Sequence, residues 1–252
     1  VAADRDLMLK EVWSFRADEV AAAPIVDGRH VAGDARPVVS PVDGKTRVGS
    51  VVEADAATAI RAMEAARRGF PAWSATPVET RAAALERAAD LIEGNRDRYL
   101  ALLAREAGKT LADGLAEVRE AADFCRFYAA EARRVFRDGG TVLAGPTGEE
   151  NRFRHRGRGV IVTISPWNFP LAIFLGQTAA ALVAGNAVVA KPAEQTPLVA
   201  HETVRLLHAA GIPEEALHLV PGDGRVGAAL VAHPAVAGIA FTGSTEVARI
   251  IN

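Results

Sequence analysis

Cysteine is almost missing: the 252 residues contain one, Cys125. A single thiol forms no internal disulfide and no cysteine-based zinc site, a usage that fits a reducing compartment. An excess of charge of either sign is lacking too. Against 31 Asp+Glu stand 29 Lys+Arg, a net charge of −2, so nothing points to nucleic acid or an anionic membrane as the main partner. There is no long hydrophobic run. The longest weakly polar stretch, residues 178–190, is broken by Gly185 and Asn186 and is too short to span a bilayer. The start, VAADRDLMLKEVW, carries charges where a secretory leader needs an apolar run. These absences lead us to expect a soluble, cytoplasmic protein. What is present is a core-forming composition: half of the residues are apolar and 24% are charged, which excludes disorder. The length suits one large domain or two small ones.

Residues 1–50 read as loop-rich, with a hairpin across Pro41-Val42-Asp43-Gly44 between Val38-Val39 and residues 48–52. From Ala54 to about Arg137 apolar residues recur at three and four positions, which predicts four helices. The first is capped by Asp55 and ends near Gly69-Phe70-Pro71. The others run from Thr76 or Pro77 to Gly94-Asn95, from about Asn95 to Ala107, and from about Leu111 to Phe136. After Gly139-Gly140 short strands alternate with helices. Strands are expected at 159–165, 187–190, 217–220 and 239–241, and helices at 171–183, 197–210 and 226–233, with a last helix opening at Ser244-Thr245. This alternation predicts an α/β fold, a doubly wound Rossmann-like parallel sheet preceded by a helical N-terminal region. Arg152, Arg154, Arg156 and Arg158 place four cations on one face of an extended segment. A solvated strand face or protruding arm is the plainer reading, a polyanion site the alternative.

Four loops carry candidate chemistry. Gly222-Asp223-Gly224-Arg225-Val226-Gly227 is a literal G-x-G-x-x-G between a strand and a helix, yet no acidic residue follows the next strand at the expected place, so a tight turn is an equal reading. In Phe241-Thr242-Gly243-Ser244-Thr245-Glu246 a strand ends and a helix opens, a geometry suited to an anion or to an ordinary N-cap. Lys191 and Glu194, after the strand 187–190, stand where open α/β sheets bind ligands and can both reach ribose hydroxyls, or form a solvated pair. In Ser165-Pro166-Trp167-Asn168-Phe169-Pro170 two prolines and two aromatics frame one amide, Asn168. That amide suits an oxyanion donor; a packing turn is the alternative.

At these residues the chain resembles the aldehyde dehydrogenase superfamily. The 165–170 and 241–246 motifs, together with Lys191-Pro192-Ala193-Glu194-Gln195-Thr196-Pro197, occur in its order and spacing, and the likeness extends to Phe70-Pro71-Ala72-Trp73 and residues 103–109. Within it, residues 172–174, 193–198 and 246–249 are most similar to the branch that oxidises L-glutamate γ-semialdehyde (the Δ1-pyrroline-5-carboxylate dehydrogenase module of proline utilisation A). The resemblance implies that Asn168 is the side-chain donor to the oxyanion, and that Lys191 and Glu194 hold the adenosine ribose of NAD. By the same resemblance Gly243 and Ser244 meet the pyrophosphate, while Ile164, Ser165, Pro166 and Trp167 line the cofactor cleft. Gly224 and Val247 would lie at the adenine end, Phe169 would wall the aldehyde tunnel, and Glu120, on a helix with Phe124 and Phe127, would be an acidic tunnel residue. It also implies a small-molecule aldehyde substrate, homo-oligomerisation of the complete enzyme, a proline dehydrogenase domain in the same polypeptide, and no metal.

The glycine loop departs from the family, with two residues between Gly224 and Gly227 where three are usual. More serious, the nucleophilic cysteine, the general-base glutamate and the nicotinamide-ribose glutamate that the resemblance implies would all lie beyond Asn252. Cys125, inside a helical run, reads as a packed thiol. The start at Val1 rather than Met, and an end inside a helical pattern without glycine or proline, are expected of part of a longer polypeptide, inactive by itself. The expected organisation is an N-terminal arm and helical part over 1–138, an extended arm over 139–158, and a Rossmann-like NAD-binding part over 159–252.

Overall fold

The computed structural model describes Asp6, Leu9, Lys10, residues 12–14 and residues 20–252. The reading of the first nineteen residues lies largely outside these. From residue 20 onward three very short strands come first, β1 (Ala21–Ala22), β2 (Ile25–Val26) and β3 (Arg29–His30). β2 and β3 pair across a two-residue loop, Asp27-Gly28, with both residues at positive φ (48° and 70°), the signature of a type I′ hairpin turn. β4 (Ala35–Val39) and β5 (Arg47–Val52) form the expected antiparallel hairpin, with β1 parallel to β5 on its other side. Asp43 closes its turn by accepting from Lys45 N and Thr46 N, both at 2.9 Å.

Helices follow as α1 (Ala56–Ala75), α2 (Val78–Gly94), α3 (Arg96–Glu106) and α4 (Leu111–Val135). Asp55 caps α1 by accepting from Thr58 N at 2.7 Å, and Thr110 caps α4 through Asp113 N at 3.1 Å. The expected end of α1 at Pro71 is corrected: the helix continues through Pro71 to Ala75. A proline removes one i→i−4 bond, but the turn beyond it is held from outside, because Trp73 is buried and its Nε1 donates to the Leu182 carbonyl at 2.9 Å.

The next strands, β6 (Thr141–Leu143) and β7 (Asn151–Phe153), pair only with each other. Of the four alternating arginines only Arg152 lies in a strand, and it is tied to Glu150 and to the Gly139 carbonyl (3.2 Å). All four are exposed.

From β8 (Val160–Ile164) the chain alternates through α5 (Ala172–Val183), β9 (Ala187–Lys191), α6 (Pro197–Ala209), β10 (Leu217–Leu219), α7 (Gly224–Val231), β11 (Val236–Phe241) and α8 (Thr245–Ile251). The sheet order is β11-β8-β9-β10-β2-β3, parallel from β11 to β10 and closed at its far side by the antiparallel N-terminal hairpin. This is the expected doubly wound Rossmann-like α/β sheet.

The two-residue period of the strands sorts their side chains onto two faces. Val160, Val162 and Val189 pack with Ala59, Met63 and Ala66 of α1 and with Val226 and Leu230 of α7. Val188, Ala190, Leu217 and Leu219 pack on the opposite face with α5 and α6, beyond which lie α2, α3 and α4. Burial on both faces explains why these strands read as continuous apolar runs. Asn186, just before β9, joins strand to helix. Its Oδ1 accepts from Arg158 N (2.6 Å) and Gly159 N (3.3 Å), and its Nδ2 donates to the Ala181 carbonyl (3.0 Å).

Candidate dinucleotide and aldehyde site

The register of the parallel strands brings three of the motif loops together. Ile164, the last residue of β8, stands opposite Lys191 at the end of β9 and opposite Phe241 at the end of β11. The loops 165–170, 192–196 and 242–244 therefore leave neighbouring strands at one carboxyl edge. The chain winds from β8 to β9 and β10, then returns to place β11 on the other side of β8. Such a reversal opens a crevice at the strand ends, where open α/β sheets bind their ligands. Backbone bonds lace this edge: Ser165 N donates to the Lys191 carbonyl (3.3 Å) and Thr242 N to the Ile164 carbonyl (3.1 Å). Gln177 of α5 straddles the crevice floor. With its amide oriented to satisfy both ends, it donates to the Ile164 carbonyl (3.2 Å) and accepts from Thr242 Oγ1 (2.6 Å).

Along the first loop Ile164 and Pro166 are half-buried and Ser165 is buried, while Trp167, Asn168 and Phe169 are exposed. The Ser165 Oγ has no hydrogen-bond partner among the described residues. Lys109 Nζ lies 3.9 Å over the Phe169 ring, a cation–π contact that fixes the aromatic wall. In the second loop Lys191 is buried, and its Nζ donates to the Pro192 carbonyl (3.3 Å). Burial pulls this ammonium below the ordinary lysine range, while the carboxylates of Glu194, Asp223 and Glu53 pull it back up. Glu194 is exposed, and its carbonyl accepts from Arg36, which also pairs with Glu53 at 2.6 Å. In the third loop Gly243 has no room for a side chain: a Cβ would lie 2.5 Å from Phe241 Cζ. Ser244 caps α8 by accepting from Val247 N at 3.2 Å, and Val247 is exposed at the same helix start.

The G-x-G-x-x-G segment is answered by Asp223. Its carboxylate accepts from Arg225 N (2.9 Å) and Val226 N (3.4 Å), so the chain itself fills the N-terminus of α7. Gly224, the first residue of that helix, is exposed with open space at its Cβ position. It lies after β10, one strand beyond the crevice. Glu120 stands apart from the strand-end loops. It lines a hollow of about 590 Å³ on α4 with Arg119, Asp123, Phe124 and Phe127, which Phe169 does not share. Cys125 is fully buried, and burial pushes its thiol up to about 12. A thiol so placed is not a nucleophile near neutral pH.

Two buried carboxylates escaped the sequence reading. Glu117 Oε1 accepts from Leu171 N (2.8 Å) and Ala172 N (3.1 Å), while Oε2 pairs with Lys109 at 2.6 Å. Glu106 accepts from Leu198 N (2.6 Å) and Val199 N (2.9 Å). The signal was available: each glutamate lies on an apolar helical stripe, with Leu102 and Leu103 before Glu106, and Val118, Ala121 and Cys125 after Glu117. An acidic residue at a core position needs a buried partner.

Comparison with known proteins agrees with this geometry. The model of the aldehyde dehydrogenase family matches residues 29–252. Over 231 residues the chain is 48% identical to the bifunctional protein PutA of Klebsiella aerogenes, covering 91% of this chain and 16% of that protein. Over 250 residues it is 40% identical to a 1-pyrroline-5-carboxylate dehydrogenase of Geobacillus thermodenitrificans, covering 98% of this chain and 48% of that enzyme. The solved structure of proline utilization A from Bdellovibrio bacteriovorus matches with a TM-score of 0.95 and 36% identity, over 100% of this chain and 26% of that one. The chain thus spans less than half the length of either curated relative. With the family's motif loops gathered at one strand edge and its model matched from residue 29 onward, this chain belongs to the aldehyde dehydrogenase family.

Proposed function

We propose that this chain is the dinucleotide-binding part of an NAD-dependent aldehyde dehydrogenase that oxidises L-glutamate γ-semialdehyde to glutamate in proline catabolism. The observation that carries the reading is the register of Ile164, Lys191 and Phe241, which gathers the three loops at the crevice. The residues present fit a dinucleotide. Lys191 is a buried ammonium with three donors, of which the Pro192 carbonyl engages one, leaving donors to offer a ribose hydroxyl beside Glu194. The first turns of α5, α6 and α7 are filled by Glu117, Glu106 and Asp223. That leaves the hydroxyl-capped opening at Gly243-Ser244 for a pyrophosphate, with Val247 and Gly224 toward the adenine. Ile164, Ser165, Pro166 and Trp167 would line the cleft.

When bound, the dinucleotide supplies the hydride acceptor. The chain's own contribution to the chemistry is Asn168, whose amide would donate to the oxygen of the aldehyde carbon as it gains charge. One such donor is worth roughly 10²–10³ in rate. Phe169 would wall the aldehyde tunnel, and Glu120 would meet the polar end of the substrate. The nucleophile and the base would come from outside this sequence, since Cys125 is buried and stays protonated. The names of the relatives, PutA and 1-pyrroline-5-carboxylate dehydrogenase, support the substrate and a link to a proline dehydrogenase activity.

Three acidic side chains, Glu53, Glu194 and Asp223, face Lys191, which favours the free 2′-hydroxyl of NAD over the 2′-phosphate of NADP. Calorimetric titration tests this: saturable NAD binding is expected, with NADP bound at least about tenfold more weakly, and equal affinities would refute the preference. Absence of NAD binding would refute the dinucleotide reading. Incubated with NAD and the semialdehyde, the 252-residue chain should produce no reduced cofactor. In a complete dehydrogenase carrying this segment, Glu120→Gln should cost more on the semialdehyde than on an aliphatic aldehyde. Equal loss would move the protein to another substrate branch.

A further inference from the structure

Two of the three loops assigned to ligand are built in the same unusual way. Each carries a proline at or just before a helix start: in Asn168-Phe169-Pro170-Leu171-Ala172 it stands two residues before α5, and in Gln195-Thr196-Pro197-Leu198-Val199 it is the first residue of α6. A helix start leaves its first N–H groups without intrahelical partners. Proline itself has no N–H to offer, and the two N–H groups that follow it are open to whatever packs against them. In both helices that is a buried glutamate. Glu117 takes Leu171 N and Ala172 N, and Glu106 takes Leu198 N and Val199 N.

Both carboxylates come from one short piece of chain, the end of α3 and the start of α4. The linker between them adds a third tie, because Lys109 pairs with Glu117 and covers the ring of Phe169. The loop after β9 is tied again from the hairpin side, where Arg36 donates to the Glu194 carbonyl at 2.8 Å. Each glutamate is at most 3% exposed. Helix starts at strand ends are otherwise ready-made anion seats, so filling them with internal carboxylates must serve something other than ligand binding at those two turns.

We propose that residues 106–117 form a positioning clamp, in which Glu106 sets the loop of Lys191 and Glu194, and Glu117 with Lys109 sets the loop of Trp167, Asn168 and Phe169. Neither glutamate touches ligand. The inference rests on the dinucleotide reading above and assigns the two halves of the site to separate anchors. Loss of Glu106 loosens the ribose-holding loop, and loss of Glu117 loosens the loop expected at the aldehyde and the nicotinamide end.

The test compares Glu106→Gln and Glu117→Gln in the 252-residue chain above pH 8, where the folded chain has released the Glu106 proton, so that each variant places an amide donor against a backbone donor. ADP-ribose, which lacks the nicotinamide, is titrated alongside NAD, and amide hydrogen exchange is followed by residue. Glu106→Gln should weaken ADP-ribose about tenfold, with faster exchange confined to residues 192–199. Glu117→Gln should leave ADP-ribose within about twofold, speed exchange over residues 166–172 and shift the Trp167 emission.

If either glutamine variant fails to fold, Arg36→Gln and Lys109→Met, both altered at less deeply buried side chains, carry the same comparison. Equal weakening of ADP-ribose by both variants, or exchange spread over the whole sheet, would overturn the division of labour. Should the unaltered chain bind neither ADP-ribose nor NAD, the dinucleotide reading fails. The exchange pattern then still decides whether the two anchors act separately.

Discussion

Glu106 makes the stability of this chain pH-dependent in a way that can be worked out. Burial pushes its carboxyl from the ordinary 4.5 up to about 8, against the pull of the Leu198 and Val199 N–H groups. Between pH 4.5 and 8 the folded chain holds a proton that the unfolded chain has released, so stability falls as pH rises through this window. His218 acts in the opposite sense. It is fully buried, with Nδ1 accepting from Asp27 N (3.2 Å), and burial pulls it from 6.5 down to about 4. Between pH 4 and 6.5 the unfolded chain holds the extra proton, and stability rises with pH.

The two nearly cancel up to pH 6.5, and Glu106 alone remains from 6.5 to 8. At about 1.4 kcal/mol per unit, 1.5 units amount to about 2 kcal/mol of stability lost, or about 4–8 °C in Tm for a chain of this size. Urea unfolding of wild type and Glu106→Gln, followed by circular dichroism at pH 6.5, 7.2 and 8.0, reads this directly. The variant, whose amide does not titrate, should be flat across the window. Parallel profiles for the two proteins would refute the reasoning.

Other outcomes follow from single contacts. Asn186→Ala removes one acceptor and one donor that together serve three backbone groups, one buried and two partly buried, and should cost about 1–3 kcal/mol in urea unfolding; a loss below about 0.5 kcal/mol would contradict that role. The Cys125 thiol should resist aromatic disulfide reagents until the chain unfolds, and Cys125→Ser should leave NAD affinity unchanged; rapid labelling of the native chain would count against a packed thiol. β11 is an edge strand, and Trp167, Val247 and Ile250 expose apolar surface near it, so the isolated chain should self-associate. A monodisperse monomer by light scattering would overturn that expectation.

The alternating half of the molecule was legible because each parallel strand is buried on both faces and each helix carries its own stop, such as Gly185 or Gly211 at positive φ. The motif loops were legible as a group, since residue types at strand ends announce themselves by chemistry. What stayed hidden was determined at long range. α1 passes Pro71 because Trp73 finds the Leu182 carbonyl, 109 residues away. β1, β2 and β3 are two residues each, too short for any period to show, although Asp27-Gly28 is a hairpin signal that could have been read. The arginines of 152–158 alternate without sharing a strand, because pairing ends at Phe153. The place of Glu106 and Glu117 on an apolar stripe is in the sequence, but the N–H groups they serve, on α5 and α6, are not.

The hairpin at Asp27 has a consequence in time. Its backbone N–H meets His218 across 191 residues of chain, and Ile25 completes the sheet only beside Leu219. At about 5–20 residues per second, a ribosome needs roughly 10–40 s to make the intervening segment. During that interval Ile25, among the most deeply buried side chains of the finished molecule, has only its hairpin partner β3 to pair with. The first part of the sheet to emerge is therefore among the last to be seated. A chaperone that shields short apolar segments on nascent chains would find its substrate in residues 20–30.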